Sequence, residues 1–222
     1  MVISSILRGL LALETNAATR KVMLGPHVPA EWSSFSLHNV RVGETTVDFS
    51  YRRTLNEVTL QIDSRGTAEL EFSPAISPRA RVLGASISGH RIPFQIEENT
   101  TDMHPIVRVS LNPGKSILRL ALKDDFDIGY TNSLPRLGNS SRDLRIISEL
   151  WSPVLDQLTV EISGVAGARY ELNLRDPGEI RSVDGAELNN GKLLVTFPPG
   201  NPLAYTRHSV VLHFVPAKRM KQ

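Results

Sequence analysis

Residues 46–52 read Thr-Val-Asp-Phe-Ser-Tyr-Arg, with an apolar side chain at every second position. The same period of two returns at residues 58–62 and 68–72, where Thr, Gln and Glu separate the apolar residues. A strand places successive side chains on opposite faces, so this alternation is typical of antiparallel strands with one buried and one wet face. The sequence therefore predicts a mainly β fold.

Similar runs continue along most of the chain, and turn signals separate them. Asn112-Pro113-Gly114 and Asn190-Gly191 are typical of tight hairpins, and Gly164-Val-Ala-Gly167 also suggests a turn between strands. Residues 129–139 contain Gly, Asn and Pro without alternation, which indicates a linker. We predict two antiparallel β-sandwich domains, at 33–128 and 140–216, followed by a basic tail at 217–222.

The first 32 residues are predicted to form a short helix and a junction segment. An apolar stripe at helical spacing supports the helix: Ile3, Ile6, Leu7, Leu10 and Leu11. Arg8 interrupts the apolar run and no cation precedes it, so the segment does not fit a secretory signal. No stretch approaches the roughly 18 apolar residues of a membrane span. We therefore expect no membrane partner, and the cytoplasm is favoured, although the sequence leaves the compartment open.

Composition excludes several function classes. The 222 residues include no cysteine, which excludes disulfides, zinc-thiolate sites and thiol catalysis. Lys218, Arg219 and Lys221 account for three of the 25 basic residues, leaving 22 against 23 acidic ones in the rest of the chain. Aromatic residues make up only 6%. A near-neutral body with few stacking aromatics argues against a nucleic-acid partner.

Motifs that carry chemistry are missing from the sequence. It contains no phosphate-binding glycine loop, no GxSxG and no HExxH. The acidic run Asp124, Asp125 and Asp127 does not match a calcium loop, so we expect solvated turn carboxylates there. No pair of acids is singled out by spacing as the two carboxylates of a glycosidase. We predict no catalytic residue, metal ligand or cofactor.

Two aromatic residues are candidates for sugar binding. Trp151 ends a predicted strand, and Tyr130 lies in the predicted linker. Exposed aromatic rings can stack on pyranose rings, but large aromatics more often pack in cores. Structural packing is the preferred interpretation, with a stacking platform as the alternative.

Two stretches near the amino terminus carry a family resemblance. Leu7-Arg8-Gly9-Leu10-Leu11-Ala12-Leu13-Glu14, followed by residues 22–32 (VMLGPHVPAEW), resembles a junction in bacterial glycoside hydrolases of the glycogen-debranching, amylo-α-1,6-glucosidase type. Residues 39–53, 72–82 and 89–94 resemble the β-sandwich that comes after this junction. The resemblance covers nearly the whole chain, and it consists of packing and turn patterns.

The resemblance implies a non-catalytic region. In that family the catalytic carboxylates lie in a helical (α/α)₆ toroid, and this chain resembles only the toroid's last helix and the β-sandwich region beyond it. No catalytic position of the family falls on a residue of this chain. Leu7, Leu10, Leu11 and Trp32 would then face the toroid, which would be a partner in the same or a neighbouring chain.

The sequence supports three hypotheses. The leading one is a non-catalytic accessory β-sandwich region of a carbohydrate-active enzyme, packing on a helical catalytic domain. The second is a stand-alone carbohydrate-binding module for α-glucan that uses Trp151 or Tyr130. The third is a complete small glycosidase.

Overall fold

The computed structural model of the chain describes residues 6–132, 135–138, 141–201 and 203–216. The chain divides into two compact units, Met1–Asp125 (unit 1) and Phe126–Gln222 (unit 2). Both units are built from strands in mostly antiparallel sheets, which confirms the predicted mainly β fold.

Unit 1 contains two sheets. Its strands are β1 (Glu14–Asn16), β2 (Lys21–Leu24), β3 (Ser34–Val42), β4 (Thr45–Arg53), β5 (Glu57–Ser64), β6 (Ala68–Phe72), β7 (Arg81–Ile87), β8 (His90–Ile92), β9 (Gln95–Glu98), β10 (Met103–Leu111) and β11 (Gly114–Lys123). One sheet has the order β1-β2-β6-β10-β9, and the other has the order β3-β4-β5-β11-β7-β8. The β2–β6 pair is parallel, whereas the other pairs between these strands are antiparallel.

Apolar residues of both sheets form one core in unit 1. Inward positions of β4 and β5 alternate with polar ones, as the sequence predicts. The ring of Tyr51 on β4 lies edge-on to that of Phe72 on β6, with centroids 6.5 Å apart. This contact joins the six-stranded sheet to the five-stranded one, so the unit is a sandwich with its core between the sheets.

The predicted amino-terminal helix is only a short turn. A single π-helical turn spans Ile6–Leu10, and Ile3 lies outside the described residues. The chain then enters β1 and β2, where Val22 and Leu24 are fully buried opposite Leu70 and Phe72 of β6. Short helices gain little from local hydrogen bonds alone, whereas sheet pairing here also buries apolar side chains. The described part of the predicted junction segment thus contributes two strands, β1 and β2, to the five-stranded sheet.

Unit 2 also contains two sheets. Its strands are β12 (Asp127–Gly129), β13 (Arg145–Trp151), β14 (Gln157–Val165), β15 (Arg169–Arg175), β16 (Ile180–Asp184), β17 (Glu187–Asn189), β18 (Lys192–Thr196) and β19 (Tyr205–Phe214), with a 3₁₀ turn at Pro177–Glu179. The sheet orders are β12-β15-β18-β17 and β13-β14-β19-β16, all antiparallel. Because β12 pairs with β15, residues 127–129 belong to unit 2 and not to the first sandwich.

Gly164 lies within β14 and not in a turn, contrary to the sequence interpretation. A Cβ atom at this position would lie 2.6 Å from ring carbons of both Phe197 and Tyr170. Only Gly167 of the pair serves the β14–β15 turn, where its φ of +76° is one that glycine adopts readily. The aromatic core of unit 2 therefore approaches the backbone of β14 closely.

The acidic run was expected to consist of solvated turn carboxylates, but the structure pairs these carboxylates with arginines. Asp125 is completely buried against Arg53, and Asp124 is largely covered in an ion pair with Arg81, at 2.9 Å. In unit 2, Asp127 accepts a hydrogen bond from Nη2 of Arg175. Each carboxylate of the run thus has a guanidinium partner, and the side chain of Asp127 also keeps 33% of its surface exposed.

Candidate functional site

A polar cleft of about 570 Å³ opens on the outer face of the six-stranded sheet of unit 1. Four neighbouring strands, β3, β4, β5 and β11, and the turn after β4 supply its walls. The lining residues are Ser34, Phe35, Ser36, Ser50, Tyr51, Arg52, Thr54, Glu57, Thr59, Gln61 and Arg119.

Strand alternation explains why this cleft is polar. Tyr51, Leu60 and Leu118 point into the core and are buried. Their chain neighbours must point outward because the side-chain period of a strand is two. The pairing register then aligns these outward residues across the strands: Ser34 with Arg52, Arg52 with Thr59, and Thr59 with Arg119.

Hydrogen bonds fix one end of the cleft. Oε1 of Glu57 accepts a bond from Nη1 of Arg119 and another from Oγ1 of Thr59, both 2.7 Å long. The hydroxyl oxygens of Ser36 and Ser50 lie 3.1 Å apart. Arg52, by contrast, is exposed and pairs with no acidic side chain among the described residues. The cleft thus offers hydroxyl groups and one unpaired guanidinium to a polar ligand.

Trp151 and Tyr130, the predicted sugar-binding residues, belong to unit 2 and not to this cleft. The ring of Trp151 packs against Phe214 and Phe126, with centroid distances of 5.2 and 6.2 Å. The Tyr130 ring packs edge-on against Tyr170 at 5.9 Å. Both rings are half-buried against the core of unit 2, the arrangement of structural aromatics. Their role in sugar stacking stays a prediction.

The hydroxyl of Tyr130 is held near an acid. It donates a hydrogen bond of 3.4 Å to Oδ1 of Asp143. Burial, together with the negative charge of Asp143, raises the pKa of Tyr130 above its ordinary value. The phenol therefore stays protonated and acts as a donor.

The four residues predicted to face a helical domain differ in exposure. Leu11 is only 3% exposed, and it packs in the core of unit 1 together with the half-buried Leu7. Leu11 therefore has almost no surface to offer a second domain. Leu10 is half-buried, and Trp32 is 39% exposed in the segment before β3. Contact with such a domain stays a prediction.

Two carboxylates of unit 2 influence each other. Burial raises the pKa of Glu149 on β13 to about 7, and the charge of Asp127 on β12 adds to this effect. Asp127 stays close to a cation because Arg175 donates to its Oδ2 atom at 2.5 Å. The charge of Asp127 thus acts on the half-buried carboxyl group of Glu149, a pairing that the spacing of the sequence does not single out.

Within the described ranges, no group of three or more His, Asp or Glu side chains is placed to hold a metal ion. Among the same residues, no helix has the length and apolar character needed to cross a bilayer.

Sequence reasoning missed the cleft because each of its residues, taken alone, belongs to an ordinary wet sheet face. The cleft could have been inferred from the polar residues that occupy every second position in residues 46–52 and 57–61. Aligning the strands in register would have placed Arg52 beside Thr59, but register cannot be read from a single strand.

Comparisons with known proteins give one likeness. No known protein family and no curated protein matches the sequence. Among solved structures, the chain is similar to a GH127 β-L-arabinofuranosidase from Geobacillus stearothermophilus T6, with 12% sequence identity and a TM-score of 0.38. The similarity covers 95% of this chain and 33% of that one, so the chain spans about a third of the length of that enzyme.

Proposed function

We propose that this chain is a non-catalytic accessory β-sandwich region of a carbohydrate-active enzyme, and that the polar cleft of unit 1 binds glycan. The chemistry of the cleft carries this proposal. Its lining offers hydroxyl, amide and guanidinium groups, which match the hydroxyl groups of sugars. Glycoside hydrolysis needs two carboxyl groups. Glu57 is the single acid in the lining, and its carboxylate already accepts a hydrogen bond from Arg119. This cleft therefore suits binding without cleavage.

The parent enzyme in this proposal is of the glycogen-debranching type. The support is the resemblance of residues 7–14 and 22–32 to the junction of such enzymes. A helical (α/α)₆ catalytic domain, in the same or a neighbouring chain, would cover Trp32 and Leu10. An indole ring that is 39% exposed has apolar area left to bury against such a partner.

Calorimetric titration of the purified chain with maltooligosaccharides tests glycan binding. We expect a response that weakens when Thr59→Ala or Gln61→Ala removes a polar group from the cleft. Asn189→Ala, on exposed β17 of unit 2, is the matched control and should bind normally. An unaltered affinity in both cleft variants would show that glycan, if bound, does not use this cleft.

Glucose release from an α-1,6-linked glucan tests the non-catalytic role. The purified chain should release none. The third hypothesis, a small glycosidase, has its candidate groups in Glu149 and Asp127. Burial and the charge of Asp127 raise the pKa of Glu149, and glycoside hydrolysis uses an acid of raised pKa together with a second carboxyl group. Release of glucose that stops in Glu149→Gln would establish that function and overturn ours.

The stand-alone binding module would lack a helical partner and would bind glycan through Trp151 or Tyr130 of unit 2. Glycan binding by the purified chain that Trp151→Ala weakens, and that Thr59→Ala leaves unaltered, would favour it.

A further inference from the structure

One row of outward side chains crosses all six strands of the sheet that carries the cleft. Register pairs join its members from β3 to β8, and the cleft occupies the β3 end. In spatial order the row reads Ser34, Arg52, Thr59, Arg119, Ser86 and Arg91. A hydroxyl side chain therefore alternates with an arginine along the whole row.

Burial confirms that the row lies on the outer face. The adjacent register row, formed by Leu120, Ala85 and Ile92, packs on the core of unit 1. Side chains one residue away must point to the opposite face. Arg52, Arg119 and Arg91 are all exposed accordingly.

The arginines have a regular spacing. Neighbouring strands lie roughly 4.8 Å apart, so arginines on every second strand repeat at about 10 Å, and the row extends for about 24 Å. The strand spacing of the sheet sets this repeat, because it fixes the Cα position of each arginine.

The row carries excess positive charge. Glu57 is bonded to Arg119 at 2.7 Å. Arg52 and Arg91 have no acidic partner among the described residues. Guanidinium groups form two-pronged hydrogen bonds with carboxylates, whereas neutral sugars offer them no charge to pair with.

We propose that this row binds a linear oligosaccharide that carries carboxylate groups, lying across the strands. The carboxylates pair with Arg52 and Arg91, and the hydroxyls of Ser34, Thr59 and Ser86 bond to the sugar hydroxyls between them. This inference rests on the proposed glycan-binding function of the cleft and names the charge of the glycan. It does not rest on the glycogen-debranching type of the parent enzyme, whose glucan carries no carboxylate. A single-stranded nucleic acid fits less well because the row has no aromatic side chain on which bases could stack.

Calorimetry with three probes tests the proposal on the full chain: tetragalacturonic acid, maltotetraose and a short oligothymidylate. The acidic tetrasaccharide should bind at least about tenfold more tightly than the neutral one, and raising the salt should weaken its binding. Arg52→Gln and Arg91→Gln should each lower its affinity about tenfold. Arg91 lies outside the cleft, so Arg91→Gln should leave the affinity for the neutral sugar unchanged. Arg52→Lys keeps the positive charge but loses the two-pronged hydrogen bond. Its affinity for the acidic tetrasaccharide should therefore lie between those of the unaltered chain and Arg52→Gln.

Arg65→Gln is the matched control, because Arg65 is exposed in the turn after β5 and lies outside the row. It should bind the acidic sugar like the unaltered chain. Thermal unfolding of all arginine variants should be unchanged, since the side chains are exposed.

Each other outcome overturns the proposal in a distinguishable way. Equal affinity for the two sugars, still weakened by Thr59→Ala, would refute the acidic ligand and leave the glycan-binding function standing. Binding of neither sugar would refute both. Oligothymidylate binding as tight as that of the acidic sugar would make the row a general polyanion surface.

Discussion

The guanidinium of Arg53 and the carboxylate of Asp125 form a two-pronged ion pair inside unit 1. Nε of Arg53 lies 2.9 Å from Oδ2, and Nη2 lies 2.7 Å from Oδ1. Nη1 donates to the carbonyl of Ala75, and the amide of Ser77 donates to Oδ1. The side chains are 4% and 0% exposed. These additional bonds satisfy the polar atoms that a dry interior would otherwise leave without partners.

Removing one partner of this pair should lower the stability of unit 1 strongly. We expect Asp125→Ala to lower the free energy of unfolding of unit 1 by about 3–5 kcal/mol, because Arg53 would remain buried without its carboxylate. The double variant Arg53→Met, Asp125→Leu should lose less, since no charge is left behind. Urea unfolding followed by circular dichroism measures both values.

A surface pair in the same unit provides the control. Asp63 and Lys115 are 4.0 Å apart, and their side chains are 49% and 85% exposed. Asp63→Ala should cost less than about 1 kcal/mol. Equal losses in Asp125→Ala and Asp63→Ala would contradict the importance that we assign to the buried pair.

Gly164 allows the rings of Phe197 and Tyr170 to lie close to the backbone of β14 in the core of unit 2. Gly164→Ala would place a methyl group 2.6 Å from the rings of Phe197 and Tyr170, so one sheet would have to shift. We expect a loss of about 1–3 kcal/mol in the stability of unit 2, as for other overpacked cores. Gly178→Ala is the matched control, because a Cβ there meets no atom within 4 Å. Thermal melts of the two variants should differ clearly; matching melts would argue against the close packing.

The raised pKa of Glu149 predicts a pH-dependent stability. Its ordinary pKa of 4.5 rises to about 7 in the folded chain, because burial disfavours the charged carboxylate. Below pH 4.5 the group is protonated in both states. Between the two values only the unfolded chain releases the proton, so this group lowers the stability progressively, by about 3 kcal/mol in total. Above the folded pKa the loss is complete and constant.

Glu149→Gln should remove that loss because the amide stays neutral. Relative to the unaltered chain, the variant should be equally stable near pH 4 and about 3 kcal/mol more stable near pH 8. Denaturant unfolding across this pH range measures the difference. Glu161→Gln, on the neighbouring strand β14, is the control. A stability gain for Glu149→Gln that does not vary with pH would rule out the ionisation of Glu149 as its cause.

The alternation of residues 46–52 was sufficient to predict the β fold, because side-chain period depends only on the local chain. The amino-terminal segment was harder. Its apolar residues fit a helical stripe, but Val22 and Leu24 find partners on β6, nearly fifty residues away in sequence. Such long-range pairing overrides the local helical preference, and it cannot be predicted from the sequence of the segment alone.

The candidate site was beyond sequence reasoning for the same reason. Arg52, Arg119 and Arg91 lie far apart in the sequence and become one row only through strand register. The aromatics singled out from sequence, Trp151 and Tyr130, stand out by residue type alone, and the structure packs both against a core. Burial of Asp125 likewise depends on Arg53, whose approach requires the folded sandwich.

Trp32 and Trp151, the two tryptophans of the chain, should differ in quenching by acrylamide. Trp32 is 39% exposed, whereas Trp151 packs against Phe214 and Phe126. Fluorescence of Trp151→Phe, which reports Trp32, should therefore be quenched more strongly than that of Trp32→Phe. In an enzyme assembled with a helical catalytic domain, quenching of Trp32 should fall to the level of Trp151, because the domain would cover the indole. Quenching of Trp32 that persists in that assembly would remove it from the interface and favour a free binding module.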